Sequence, residues 1–288
     1  MLPQFKNKTG THVHLFRAFR QKRYFALHQP FQSQISYKLT VSQYLGNNEV
    51  ISALKYYVDH VVPATATKLQ IFADNCFAQN KNSILYAGLQ ALLYSRFENI
   101  KIQYAEVGHS RMAADADFGK IVVRAKSYEK IYGPNDWVKI IEQANRVNPF
   151  SVIYLEKPCT DQLAVDGKPV VRVKDYKSVL LPKVNPRLTG ISKLKSVCFI
   201  RGQNPTIENA EDVTLIGKPF PLLKSGVSVR ALHDAFRTAK TAYHASKCLE
   251  LKQSKTEDVA ALLKHVIVQG REGFYKSIPK IKLPQGSS

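Results

Sequence analysis

Hydrophobic and polar positions change period several times along the chain. Residues 31–41, FQSQISYKLTV, alternate in their second half and are rich in β-formers, so they read as a strand. NEVISALKYYVDHVV then reads as a helix, capped by Asn47 or Asn48 and stopped before Pro63. LQIFA, residues 69–73, is a short apolar run of the kind that forms a buried strand. Residues 82–97 place Ile84, Leu85, Leu89, Leu92 and Leu93 at helical spacing. IKIQYAEV, 100–107, alternates again and leads to a turn at Gly108. Residues 114–131 read as a helix with Phe118, Ile121, Val122 and Ala125 on one face. A helix over 137–147 follows the Gly133-Pro134-Asn135 turn, and SVIYL, 151–155, is a further strand.

Strand and helix therefore alternate through the centre, which predicts an α/β layer with helices packed on a sheet. After Pro158 the texture changes. VVRVKDYKSVLL, 170–181, alternates like one or two short strands, and Pro182, Pro186, Pro205, Pro219 and Pro221 punctuate a loop-rich stretch. Two closing helices are predicted over 228–251 and 257–276, the second capped by Thr256, with a fraying tail beyond. The expected organisation is a basic opening (1–30), an α/β core (31–155), a β- and loop-rich extension (156–225), C-terminal helices (226–280) and a disordered tail (281–288).

Charge sharpens this picture. The 288 residues hold 42 Lys and Arg against 22 Asp and Glu, a formal net charge of +20. The surplus sits at the ends: 8 basic to 2 acidic in 1–60, 16 to 12 in 61–179, and 18 to 8 in 180–288. Such an excess attracts polyanions and points to a nucleic-acid partner, DNA first and RNA second. The plainer reading is a basic soluble surface. No apolar run reaches the roughly 18 residues of a membrane span, and the N-terminus lacks a signal-peptide apolar region. Four scattered cysteines without a CxxC predict neither a disulfide framework nor a cysteine zinc site, and imply a reducing intracellular compartment. GxxxxGK[ST], GxGxxG and GxSxG are absent, which removes support for nucleotide cofactors and for a hydrolase elbow.

Two segments carry candidate chemistry. In FADNCFAQNKN, 72–82, Asp74 ends a buried strand, where α/β sheets build their sites. Asn75, Gln79, Asn80, Lys81 and Asn82 follow, amides and a cation that suit phosphate or base contacts. The alternative is that Asn80 or Asn82 caps the next helix. In GHSRMAADADFGK, 108–120, His109 and Arg111 precede Asp115 and Asp117, which open a helix. Carboxylates from both segments meeting at one edge would bind Mg²⁺ or Mn²⁺. Helix capping is the alternative for these aspartates, and a satisfied turn histidine for His109. Cys76 reads as an inert buried thiol.

DNCFAQNKN, GHSRMAADADFG, GPNDWVKIIEQA and the closing EDVAALLKHV…FYKSIP together resemble domain of unknown function 7869, a family associated with transposable elements. The resemblance runs over about residues 30–280. It implies an RNase H-like fold of the transposase and integrase kind: a mixed sheet flanked by helices, then the loop-rich β segment and two C-terminal helices. It also implies a metal site with Asp74 as the second acid and Asp115 or Asp117 as the third, with Asp74 and Asp115 as metal ligands and His109 beside them. Nuclear location follows from the same resemblance, and a homo-oligomer is compatible with it.

Two departures alter the expectation. The family's glutamate after the Asp-Phe-Gly block is Val122 here, and no Asp or Glu precedes Glu49. The first acid of a three-carboxylate site is therefore missing, as a truncated gene or incomplete gene model would leave it, and Glu49 or Asp59 could replace it only from a helix. The reading is a nucleic-acid-binding, catalytically disarmed protein. The alternatives are an active metal-dependent nuclease or recombinase, and a non-catalytic basic RNA-binding protein. The carboxylate-free opening interleaves Arg17, Arg20, Lys22 and Arg23 with Phe16, Phe19, Tyr24 and Phe25, which suits either a backbone-contacting segment or a strand with its aromatics inward.

Overall fold

The computed structural model describes residues 10–18, 24–27, 36–42, 46–73, 80–105, 113–131, 134–156 and 170–242, with the single positions Glu257 and Ala261. It is a mixed α/β fold. The larger sheet has the order β3-β1-β4-β5-β8-β9, made from β1 (Gly10–Ala18), β3 (Ser36–Ser42), β4 (Lys68–Ala73), β5 (Asn99–Tyr104), β8 (Leu194–Ile200) and β9 (Thr206–Ala210). The first four of these strands run parallel, and β8 and β9 are antiparallel additions at one side. β2 (Tyr24–Leu27), β6 (Ser151–Glu156) and β7 (Val170–Arg172) form a second, three-stranded sheet. Residues 10–18 of the basic opening thus supply the strand between β3 and β4.

Period 2 divides the larger sheet into two faces. Leu69, Ile71, Ala73, Ile100, Ile102, Tyr104, Val197 and Phe199 form the buried face. They share one core with α1 (Asn47–His60), α2 (Ser83–Ser95), α5 (Tyr176–Leu180) and α6 (Val229–Arg237). The opposite face is polar and half-buried. Gln70 bonds Gln103, Asn99 donates to the Cys198 sulfur at 3.2 Å, and Lys101 pairs with Glu208 at 2.5 Å. A second core joins α3 (Ala113–Lys126), α4 (Pro134–Gln143) and β6 through Ile121, Val138, Ile140, Ile141, Phe150 and Val152.

Helix ends explain where the elements stop. Gly46, not Asn47 or Asn48, caps α1, and its N–H donates to Glu49 Oε2 at 3.0 Å. Asn48 instead crosses to the start of α5, donating to Asp175 and accepting from Lys177 N at 2.7 Å. Arg96 closes the other end of α1 by donating to the carbonyls of Val58, Val62 and Pro63. This cation satisfies carbonyls that a helix C-terminus leaves open.

Two predicted elements come out differently. Residues 176–180 are helix, not strand: Asp175 accepts from Ser178 N at 3.1 Å, and Tyr176 and Leu180, four apart, are both buried in the core. The helix predicted over 228–251 ends at Arg237. Residues 239–242 turn back against the chain at 173–175, with Asp175 N donating to Lys240 O and Ala242 N to Val173 O. Of the second closing helix, only Glu257 and Ala261 are described, both helical.

Candidate functional site

All four parallel strands present their C-terminal ends at one edge of the larger sheet. Ala73 is the last residue of β4, in register with Leu15 of β1 and Tyr104 of β5. Asp74 comes next in sequence. Asp74, Asn75 and Gln79 lie outside the described residues, as do His109 and Arg111; of Asp115, only its backbone place in α3 is described.

Residues 80–82, which lead into α2, are described, and Asn80 and Lys81 are buried. Asn82 caps α2, accepting from Leu85 N at 2.8 Å, as the capping alternative requires. The Asn80 carbonyl accepts a 2.6 Å hydrogen bond from the Tyr104 hydroxyl, which also shares a 3.0 Å hydrogen bond with the Tyr86 hydroxyl. Burial raises both phenols well above the ordinary tyrosine range, so both stay neutral.

Lys81 is 2% exposed. Its Nζ donates to Ser192 O at 3.0 Å and lies 4.9 Å from the Tyr104 ring centroid. Burial lowers its pKa, Glu211 opposes that shift, and Lys195 adds to it. The ammonium therefore joins the start of α2 to the Ile191–Lys193 turn that leads into β8. In this position it presents no charge to an outside phosphate. Tyr104 and Ser192 carry no signal of this role in the sequence, because they are remote from the 72–82 block and meet it only through the fold.

Asp117 is 7% exposed, in the second turn of α3 and four residues before buried Ile121. It sits beyond the capping position, and its Oδ1 lies 3.2 Å from Lys120 Nζ. An ammonium at that distance opposes a divalent ion on the same oxygen. Among the described residues, no group of three His, Cys, Asp or Glu side chains could hold a metal. Glu49 and Asp59, the other acids considered for a metal set, are both on α1: Glu49 binds the Gly46 N–H, and Asp59 pairs with Lys55 at 2.6 Å. Among the described residues, too, no helix is long and apolar enough to cross a membrane.

Comparison with curated proteins and with solved structures returns no match. The family model of the domain of unknown function DUF7869 matches residues 28–208, from the start of the α/β core through most of β9 and short of the closing EDVAALLKHV segment. With well over half the chain inside that match, the protein belongs to the DUF7869 family.

Proposed function

We propose that this chain is a transposase-derived, RNase H-like protein that binds nucleic acid and does not cleave it. The observation that carries the reading is the sequence of β1, GTHVHLFRA, on the strand paired directly with β4. In the fold the family resemblance implies, the first metal-binding acid stands on the early strand beside the one that delivers Asp74. The sequence of β1 contains two histidines and an arginine and no Asp or Glu.

The parallel β1-β4-β5 order supports the RNase H-like assignment, as does α3, carrying Asp115 and Asp117 directly after β5. Two divalent ions a few ångströms apart repel strongly, and anionic ligands must offset that repulsion. A site short of one carboxylate, with Asp117 beside Lys120, does not meet that demand. What the chain retains is its charge. A net +20 draws a polyanion, and each phosphate neutralised by Lys or Arg releases condensed counterions. The nucleus is the compartment such a partner implies.

The test is duplex binding followed over a salt series, with plasmid integrity scored in Mg²⁺ and Mn²⁺. Affinity should fall steeply with salt while the plasmid stays intact. Absence of binding at low salt refutes the partner, and cleavage abolished by Asp74→Ala refutes the disarmed site.

A further inference from the structure

The loop-rich layer between α5 and α6 sets two lysines across from one another. Val184 and Leu223 form an isolated antiparallel bridge, with Asn185 N donating to Leu222 O at 2.9 Å and Lys224 N to Lys183 O at 3.0 Å. This pattern sets Lys183 directly across from Lys224. Lys183 ends the short 3-10 turn Leu181–Lys183, and the Lys224 N–H bond to its carbonyl holds the two backbones together. Like charges there repel, and an isolated bridge has no need of them.

Among the described residues, no hydrogen bond or ion pair engages the ammonium of Lys183 or Lys224. Three acids of the C-terminal half are engaged with other groups: Asp175 accepts from Asn48 and Ser178, Glu208 pairs with Lys101, and Asp212 binds Thr214 with Lys193 and Lys218 near it. Arg187 extends the charge. It sits in a turn in which Leu188 N donates to Asn185 O, Arg187 N donates to Asn185 Oδ1, and Asn185 Nδ2 donates to Pro221 O at 3.1 Å. That turn holds the exposed Arg187 close to the bridge on a braced backbone.

The geometry points to the Lys183–Lys224 pair, with Arg187, as a phosphate clamp for a nucleic-acid backbone. It lies on the loop-rich segments between α5 and α6. It rests on the nucleic-acid reading above and adds the surface that engages the partner. A phosphodiester between the two ammonium groups would remove the repulsion that water alone leaves, and the Arg187 guanidinium offers a fork to the next phosphate. Interactions of this kind position a backbone without reading sequence.

The test uses the full chain and a short mixed-sequence labelled duplex, with anisotropy read over a salt series. K183E/K224E should weaken binding about 10-fold and reduce the log–log salt slope by about 2, one for each phosphate no longer neutralised. The control is K126E/K139E, which changes net charge equally on exposed positions of α3 and α4 and should change the slope far less. If the first variant does not fold, K183Q/K224Q takes its place with the same expected reduction in slope. Wild-type binding with both variants equal to the control overturns the clamp and leaves the nucleic-acid reading standing. A wild type that fails to bind at low salt overturns both. Equal displacement of the duplex by polyglutamate at matched charge overturns the assignment to phosphate.

Discussion

Lys81 shows how a residue's chemistry depends on where the fold points it. Beside Asn80 and Asn82 it looks like a phosphate ligand. In the structure its ammonium reaches Ser192 O and the Tyr104 ring, and Asn82 is a helix cap. Lys81→Ala should lower stability by about 2–3 kcal/mol through the cavity and the orphaned carbonyl, read by urea unfolding. Lys81→Met should cost less and leave duplex affinity unchanged; weaker affinity with the fold intact would return Lys81 to the interface. The sign of its pH effect follows from burial. Its folded pKa lies below the ordinary 10.5, so in that window the unfolded chain binds more protons and stability rises with pH. Lys81→Met should flatten that rise on the acid side of pH 10.5, and parallel curves would contradict it. Tyr86 and Tyr104 act in the opposite sense: their folded pKa values are raised, so the stability they contribute is present below the ordinary 10.0 and is lost as pH climbs above it.

At the scale of elements, α1 and α2 approach closely at Gly88. A Cβ added there would lie 3.2 Å from Ile51 Cδ1, and Ile51 is fully buried with nowhere to retreat. Gly88→Ala should therefore cost about 1 kcal/mol despite alanine's better helix propensity, and Ile51→Val should recover part of it. Thermal or urea unfolding of the single and double variants reads both effects. Arg96→Ala should cost about 2–3 kcal/mol by stripping the C-terminal carbonyls of α1, measured as a shift of the urea midpoint at unchanged m. The regular elements are legible in the sequence where their periods are clean: LQIFA is β4, and the leucine spacing of 82–97 is α2. Residues 176–180 mislead because VVRVKDYKSVLL alternates while Asp175, a helix cap, sits in its middle. Helical spacing continues past Arg237, but the helix end is set by backbone pairing of 240–242 with 173–175, a long-range interaction with no local signature. Of the site, the strand before Asp74 and the helix that carries Asp115 and Asp117 are legible. The inward turn of Lys81 and the Lys183–Lys224 opposition are not, because each depends on partners distant along the chain.

For the molecule as a whole, the parallel half of the sheet supplies an edge, the antiparallel strands widen it, and the basic C-terminal third supplies much of the positive charge. An active transposase combines affinity for a phosphate backbone with a carboxylate set able to hold divalent ions, and under the proposed function the two come apart in this chain. β1 lacks an acid to contribute to the second and does nothing to weaken the first. Both are read together by incubating the full chain with supercoiled plasmid in Mn²⁺ at low salt and running each sample before and after removal of protein. A disarmed nucleic-acid binder gives a retarded complex that releases fully supercoiled plasmid; nicked or linear product that disappears in Asp74→Ala would contradict it.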